Sequence, residues 1–199
     1  MLLRSIVDKN TRHIWFDLET TGFNIFYSDI IEIAAIDNFG NEFSVLIKSK
    51  KSLPKKIVEI TSITDELLQE FGVDIEVALE KFLVYLKKYD IPTYLIGHNS
   101  YSFDIPFIKA QFQKYNLKFP NYNSIDSMRI AQLVMPNEWS HSLANLCNLF
   151  GIENRQAHRA MSDVYATQSV YKNLLIIYRS RFKDEKLTMQ NIIKKIKFV

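Results

Sequence analysis

Two carboxylates stand two residues apart at the end of an apolar run, Ile14-Trp15-Phe16-Asp17-Leu18-Glu19-Thr20-Thr21-Gly22. Side chains alternate faces along a strand, so Asp17 and Glu19 project from the same face and repel each other. Carboxylate oxygens are the donors that hard divalent ions such as Mg2+ or Mn2+ prefer, and such an ion turns that repulsion into coordination. Taken alone, the pair also fits a solvated strand end. Further along, Asp104 stands at the start of an expected helix, where the helix dipole favours negative charge. His158 and Asp163 open the last long helix with an HxxxxD spacing. Five helical residues turn through roughly 500°, which would point the two side chains about 140° apart, so His158 belongs in the preceding loop.

The elements that must position these groups follow from periodicity. Residues 13–18 are predicted to form a buried strand, and Ile30–Ile36 a second with Ile31, Ile33 and Ala35 on one face. The turn Asn38-Phe39-Gly40-Asn41 leads into a third strand over Glu42–Lys48, which makes an antiparallel hairpin. Leu53-Pro54 breaks the pattern, and short helices follow over 56–61 and 65–71. Ile75, Leu79, Phe82 and Leu86 keep a helical period through Ile75–Tyr89, which Ile91-Pro92 ends. Thr93–Gly97 reads as a strand with His98-Asn99-Ser100 at its C-terminal end, and the next helix starts near Phe103, with Pro106 tolerated in its first turn. A fifth strand over Tyr122–Asp126 precedes helices over 127–134, 142–150 and 159–182. Three antiparallel strands followed by alternating helix and strand predict an α/β fold, a mixed sheet flanked by helices.

At 199 residues and 47% hydrophobic content, one domain with a full core is expected. The longest apolar runs, such as Leu174–Tyr178, fall far short of the roughly 18 residues of a membrane span. The N-terminus turns polar at Arg4, Asp8, Lys9 and Arg12 and lacks the apolar stretch of a signal peptide, so an intracellular protein with no membrane partner is expected. Cys147 keeps helical spacing with Leu143, Leu146 and Phe150 and reads as core. The net charge of +3 is uneven: Arg179–Val199 holds seven Lys/Arg against Asp184 and Glu185. A second basic cluster, Lys48, Lys50, Lys51, Lys55 and Lys56, contains no acid. Such clusters suit a polyanion, although charge runs are more often solvated surface.

DLETTG at Asp17–Gly22, HNSYSFDIPFI at His98–Ile108 and HRAMSDV at His158–Val164 closely resemble the three motifs of the DEDDh exonucleases. This family includes the proofreading exonucleases of bacterial DNA polymerase III and the TREX-like and RNase T-like enzymes. Ile31-Glu32-Ile33, the stretch from Ile60-Thr61 to Thr64-Asp65, and Ser124-Ile125-Asp126-Ser127 agree with it. The resemblance covers about residues 13–180, so the chain is read as an exonuclease domain over 1–182 and a basic C-terminal tail over 183–199. In that tail Leu187, Met189, Ile192, Ile193 and Ile196 form one face of a short helix, with Lys186, Lys194, Lys195 and Lys197 around it.

The resemblance implies a ribonuclease H-like fold, with Asp17, Glu19, Asp104 and Asp163 binding two divalent ions, Mg2+ or Mn2+, and His158 as general base. Four carboxylates and two such ions balance in formal charge. An imidazole, with its ordinary pKa of about 6.5, takes a proton near neutral pH. It further implies 3'-to-5' release of nucleoside monophosphates. Contacts to the terminal nucleotides fall to Leu18, Thr20, Thr21, Phe23, Asn99 and Tyr101. Phe26 and Phe103 also flank the motifs, although Phe103 fits the core as well. His98 is expected to orient the turn at Asp104, and His141 has no assigned role. Phe23 stands where many members of the family have a smaller aliphatic residue. The substrate expected is single-stranded or frayed DNA 3' ends, favoured over RNA, with a polymerase as a possible partner. An RNA 3' exonuclease of the same fold, or a non-catalytic nucleic-acid-binding or polymerase-associated module, are the alternatives.

Overall fold

The computed structural model describes residues 10–183 and 187–197; the polar start with Arg4, Asp8 and Lys9, and Asp184, Glu185 and Lys186 of the tail, lie outside the described residues. Five strands, β1 (Arg12–Thr20), β2 (Ile30–Asp37), β3 (Glu42–Leu46), β4 (Thr93–Gly97) and β5 (Asn123–Asp126), make one sheet in the order β3-β2-β1-β4-β5. The central strand β1 is antiparallel to β2 and parallel to β4. The outer pairs repeat this, β2 with β3 antiparallel and β4 with β5 parallel. β1 runs past the expected end to Thr20, which pairs with Ile30 after an irregularity at Glu19, so both acids sit within a paired strand.

Alternation along β1 divides the core in two. Ile14, Phe16 and Leu18 join Ile33, Ala35 and Leu95 under α3 (Ile75–Leu86) and α4 (Asp104–Lys114). Trp15 faces the other way, with Ala34, Ile36 and Ile96, under α5 (Ser127–Val134), α6 (Leu143–Phe150), α7 (Ala160–Arg181) and α8 (Met189–Ile196). β2 is buried along its whole length because both faces are covered. α1 (Lys55–Thr61) and α2 (Asp65–Phe71) flank a small cluster of Ile31, Leu53, Ile63 and Leu68.

Arg12, which reads in the sequence as an ordinary polar residue, is fully buried. Its guanidinium pairs with Asp37 at 2.8 Å and donates to the carbonyls of Tyr85 and Leu86 at 2.8 and 2.9 Å. A cation on the last carbonyls of a helix satisfies groups that have no partner within it. α3 accordingly stops at Leu86, short of the expected Tyr89.

α8 presents Met189, Ile192, Ile193 and Ile196 to the same core as α7. Thr188 caps it by accepting from the Asn191 amide at 3.2 Å, and the Tyr171 hydroxyl meets the Met189 sulfur at 3.3 Å. Lys194 and Lys197 stay exposed. Ile192→Ala is therefore expected to lower stability by about 2–5 kcal/mol, or roughly 5–15 °C in Tm for a domain of this size. Lys194→Ala should change it by no more than about 0.5 kcal/mol. Thermal denaturation of the two variants checks this, and equal midpoints would show that α8 contributes no packing.

Candidate active site

Asp17 and Glu19 leave β1 on the Trp15 face, where α7 packs. Ala34 stands opposite Asp17 across the ladder, and Glu32 opposite Glu19. The small Ala34 leaves room for a carboxylate. Glu32 instead anchors a helix. Buried on β2, it accepts from the Arg159 guanidinium at 2.9 and 3.2 Å and from the Ala160 amide at 3.0 Å. It thus satisfies an orphan donor at the start of α7 from another element, and it fixes that helix end to the sheet.

With α7 held there, its first turn carries Asp163 toward β1. The Asn154 side-chain amide donates to one Asp163 oxygen at 2.6 Å, and the His158 backbone amide donates to the other at 3.0 Å. Ser162 in turn donates to the Asn154 oxygen at 2.6 Å, which orients that amide. His158 lies in the loop before α7 with φ of +64°. That conformation is unusual for a side chain with a Cβ, and here the bond to Asp163 holds it.

Asp104 comes from the opposite layer. As the first residue of α4 it reaches β1 and accepts from the Leu18 amide at 3.2 Å, between the two strand acids. The turn that delivers it is clamped by Asp126, whose oxygens accept from the amides of Asn99 (2.9 Å), Tyr101 (3.1 Å) and Met128 (2.9 Å). Gly97 is required beneath this turn, since a Cβ there would lie 2.5 Å from that of Ser100. His98, expected to orient the turn at Asp104, hydrogen-bonds on the far side of that turn's base. Its ring bonds the Ser127 hydroxyl and the His141 carbonyl, both at 2.9 Å, so it ties β4 to α5 and to the loop before α6.

These groups surround a cleft of about 280 Å³. Of the residues singled out from the sequence, Asp17, Leu18, Glu19, Thr20, Phe23, His98, Asn99, Asp104, His158 and Asp163 line it. Phe103 lines it too, edge-on to Phe23 at 6.0 Å and packed on Phe107 at 4.9 Å, so it belongs to both core and cleft. Thr21 and Tyr101 are not on its wall. Thr21 is occupied with Asp29, donating its amide to the carbonyl and accepting the Asp29 amide on its hydroxyl, each at 2.9 Å. Tyr101 donates its hydroxyl to the Ser124 carbonyl at 2.5 Å and lies beneath the Arg129 guanidinium, 5.2 Å from the ring centre. Both are half-buried and hydrogen-bonded to the framework beside the cleft. Sequence reasoning did not supply Ile57 and Ile60 of α1 as the far wall, nor the supporting Asn154 and Arg159.

Charge is concentrated here against its own repulsion. Burial, then the nearby Asp104, Glu19, Asp163 and Glu32 carboxylates, hold the Asp17 carboxyl well above the usual range. Burial and the same neighbourhood of acids push Glu19 up to about 9. Asp104 rises to about 7 through burial, against its hydrogen bonds to backbone amides. Burial also raises Asp163, opposed by Asn154 and His158. Ligand atoms of Asp17, Glu19 and Asp163 lie within 4.8 Å of one another. An all-oxygen donor set this close, raised by mutual repulsion, fits a hard divalent cation.

The model of the Exonuclease family (RNase T) matches residues 14–171. The chain is 37% identical over 162 residues to DNA polymerase III PolC-type of Mycoplasma genitalium, covering 78% of this chain and 11% of that one. It is 32% identical over 168 residues to the Bacillus subtilis protein of the same name, with 82% and 11% covered. The chain thus spans about a tenth of the length of these relatives. Among solved structures it is similar to E. coli exonuclease I in complex with a dT13 oligonucleotide, with TM-score 0.74, 22% identity, and 87% of this chain and 43% of that one covered. The zinc-bound form of an E. coli exonuclease I complex with single-stranded DNA superposes with TM-score 0.73 at 22% identity, covering 88% and 42%. The fold is ribonuclease H-like.

The raised carboxylates have a sign that can be measured. A carboxyl with a raised folded-state pKa stabilises the metal-free protein below its ordinary pKa, and that contribution is lost as pH rises through the folded value. For Glu19 the window runs from 4.5 to about 9, and for Asp104 from 3.8 to about 7. The Tm of metal-free protein should fall across pH 6–9, and saturating Mn2+ should raise Tm more at pH 9 than at pH 6, because the ion displaces protons. Equal Mn2+ shifts at both values would contradict the linkage.

Proposed function

The chain belongs to the exonuclease family, and from that premise we propose that it removes nucleotides from the 3' ends of single-stranded or frayed DNA. The convergence of Asp17, Glu19 and Asp163 on one point, with Asp104 and His158 on the same cleft, carries this reading. Complete retention of the acidic set argues against a module that only binds. The polymerase III character of the relatives supports DNA over RNA, and a DNA polymerase as partner, since they carry the matching segment within a polymerase chain.

In this reading Asp17, Glu19, Asp104 and Asp163 hold two divalent ions, Mg2+ or Mn2+. When bound, such ions supply charge stabilisation for an in-line displacement at phosphorus and an activated water. His158 accepts the proton of the attacking water on its imidazole nitrogen, and its loop conformation keeps the ring at the cleft wall. The Leu18 amide is occupied by Asp104, which locks strand and helix acids in one geometry. Phe23, supported by Phe103, and Ile57 with Ile60 offer apolar surface to the terminal base.

Asp17→Ala, Asp104→Ala and Asp163→Ala should each abolish cleavage of 5'-labelled DNA oligonucleotides, and EDTA should stop the unaltered protein. Turnover near the unaltered rate in any folded variant would remove that residue from the metal set. His158→Ala should lower kcat by about 10² to 10⁴, with KM little changed. A loss confined to KM makes His158 a binding residue. Running the assay with matched RNA strands tests the DNA preference, which equal rates would overturn.

A further inference from the structure

Resting on the exonuclease reading above, we propose that the DNA strand behind the reacting nucleotide runs over a second surface outside the cleft. It is built from Phe26 and Tyr27 and from Lys50, Lys51, Lys55 and Lys56.

Phe26 and Tyr27 are 79% and 84% exposed on the loop between β1 and β2. Large exposed rings grouped together are a usual mark of a binding surface. The loop that carries them is hydrogen-bonded into one shape. Asn24 accepts the Phe26 amide on its side chain at 2.9 Å, and its carbonyl takes the amides of Tyr27 and Ser28 at 3.2 and 2.8 Å. Rings held this way lose little freedom when a base stacks on them.

The turn carrying Lys50 and Lys51 is tied to this loop by one carboxylate. Asp29, at the end of the aromatic loop, accepts from the Lys50 amide at 3.1 Å and from the Ser49 hydroxyl at 3.3 Å. The Lys50–Lys51 turn is thereby docked on the loop bearing Phe26 and Tyr27. From there the chain enters α1 at Lys55 and Lys56, directly before Ile57, which lines the cleft together with Phe23 and Ile60. All four lysines are exposed. Asp29 is engaged with backbone and hydroxyl, and the neighbouring Asp65 accepts the Leu53 amide at 3.0 Å, which leaves Glu59 as the exposed acid on α1. Positive charge and aromatic rings thus lie on the two segments that supply Phe23 and Ile57 to the cleft wall, and Asp29 joins those segments. Single strands are bound by that combination, phosphates by cations and bases by ring faces.

The test compares a long substrate with a minimal one. Two variants are made, Phe26→Ala with Tyr27→Ala, and Lys50, Lys51, Lys55 and Lys56 each →Ala. Both should cleave the dinucleotide dTdT as the unaltered protein does. On a twelve-nucleotide oligo-dT both should show KM raised about tenfold or more, with kcat unchanged. In the lysine variant, the slope of log affinity against log salt should flatten by about 0.7 for each phosphate no longer held. Affinity is also read in EDTA by fluorescence anisotropy, which needs no turnover. Unchanged KM and anisotropy for the long strand in both variants overturns the surface, even if those variants lose capture of a polymerase. An equal loss on dTdT overturns it too, because the residues would then belong to the cleft or the fold. Unaltered protein that binds oligo-dT through these residues but hydrolyses nothing sinks the exonuclease reading and leaves the surface standing. Protein that neither binds nor hydrolyses it sinks both.

Discussion

Everything near the cleft depends on keeping negative charges close together inside a protein that disfavours it. Asp17, Glu19 and Asp163 bring ligand atoms within 4.8 Å of one another, with Asp104 and the buried Glu32 adding to the field. Such an arrangement does not form by mutual attraction. It is imposed by backbone that is satisfied elsewhere: a central strand paired on both sides, and two helix starts whose positions are fixed by other contacts. The repulsion is thus balanced by the whole sheet, and a divalent cation is the natural counter-charge.

Two other carboxylates, Glu32 and Asp126, do much of this fixing, and each acts by satisfying backbone amides. Glu32 receives the first amide of α7 together with Arg159, so the helix bearing Asp163 is seated on β2. Asp126 receives two amides of the turn before α4 and caps α5 with a third, so the helix bearing Asp104 is seated at the end of β4. Arg12 performs a third such service at the end of α3, on the far side of the sheet. These are charges used as structural donors and acceptors, each matched by several hydrogen bonds, which is what makes their burial tolerable.

Much of this was readable in the residues, and the limits have a physical pattern. The two-residue spacing puts Asp17 and Glu19 on one face, and the 3.6-residue period and Pro106 bracket the helices closely, because these signals are local. The rotation between His158 and Asp163 correctly sets the histidine outside the helix. What was missed lies in pairings across long sequence distance. Glu32 and Arg159 are 127 residues apart, and His98 meets partners 29 and 43 residues on. No periodicity announces such contacts. Tyr101 shows the same limit, since nothing local announces its bond to the Ser124 carbonyl 23 residues on.

The split origin of the acids has a consequence for the folding chain. Asp17, Glu19 and Asp163 are brought together when α7 docks on one face of the sheet, whereas Asp104 arrives only when α4 docks on the other. A chain with a single face assembled therefore brings together at most three of these four carboxylates. The full acidic set is completed only by a chain whose two hydrophobic halves have both closed on β1.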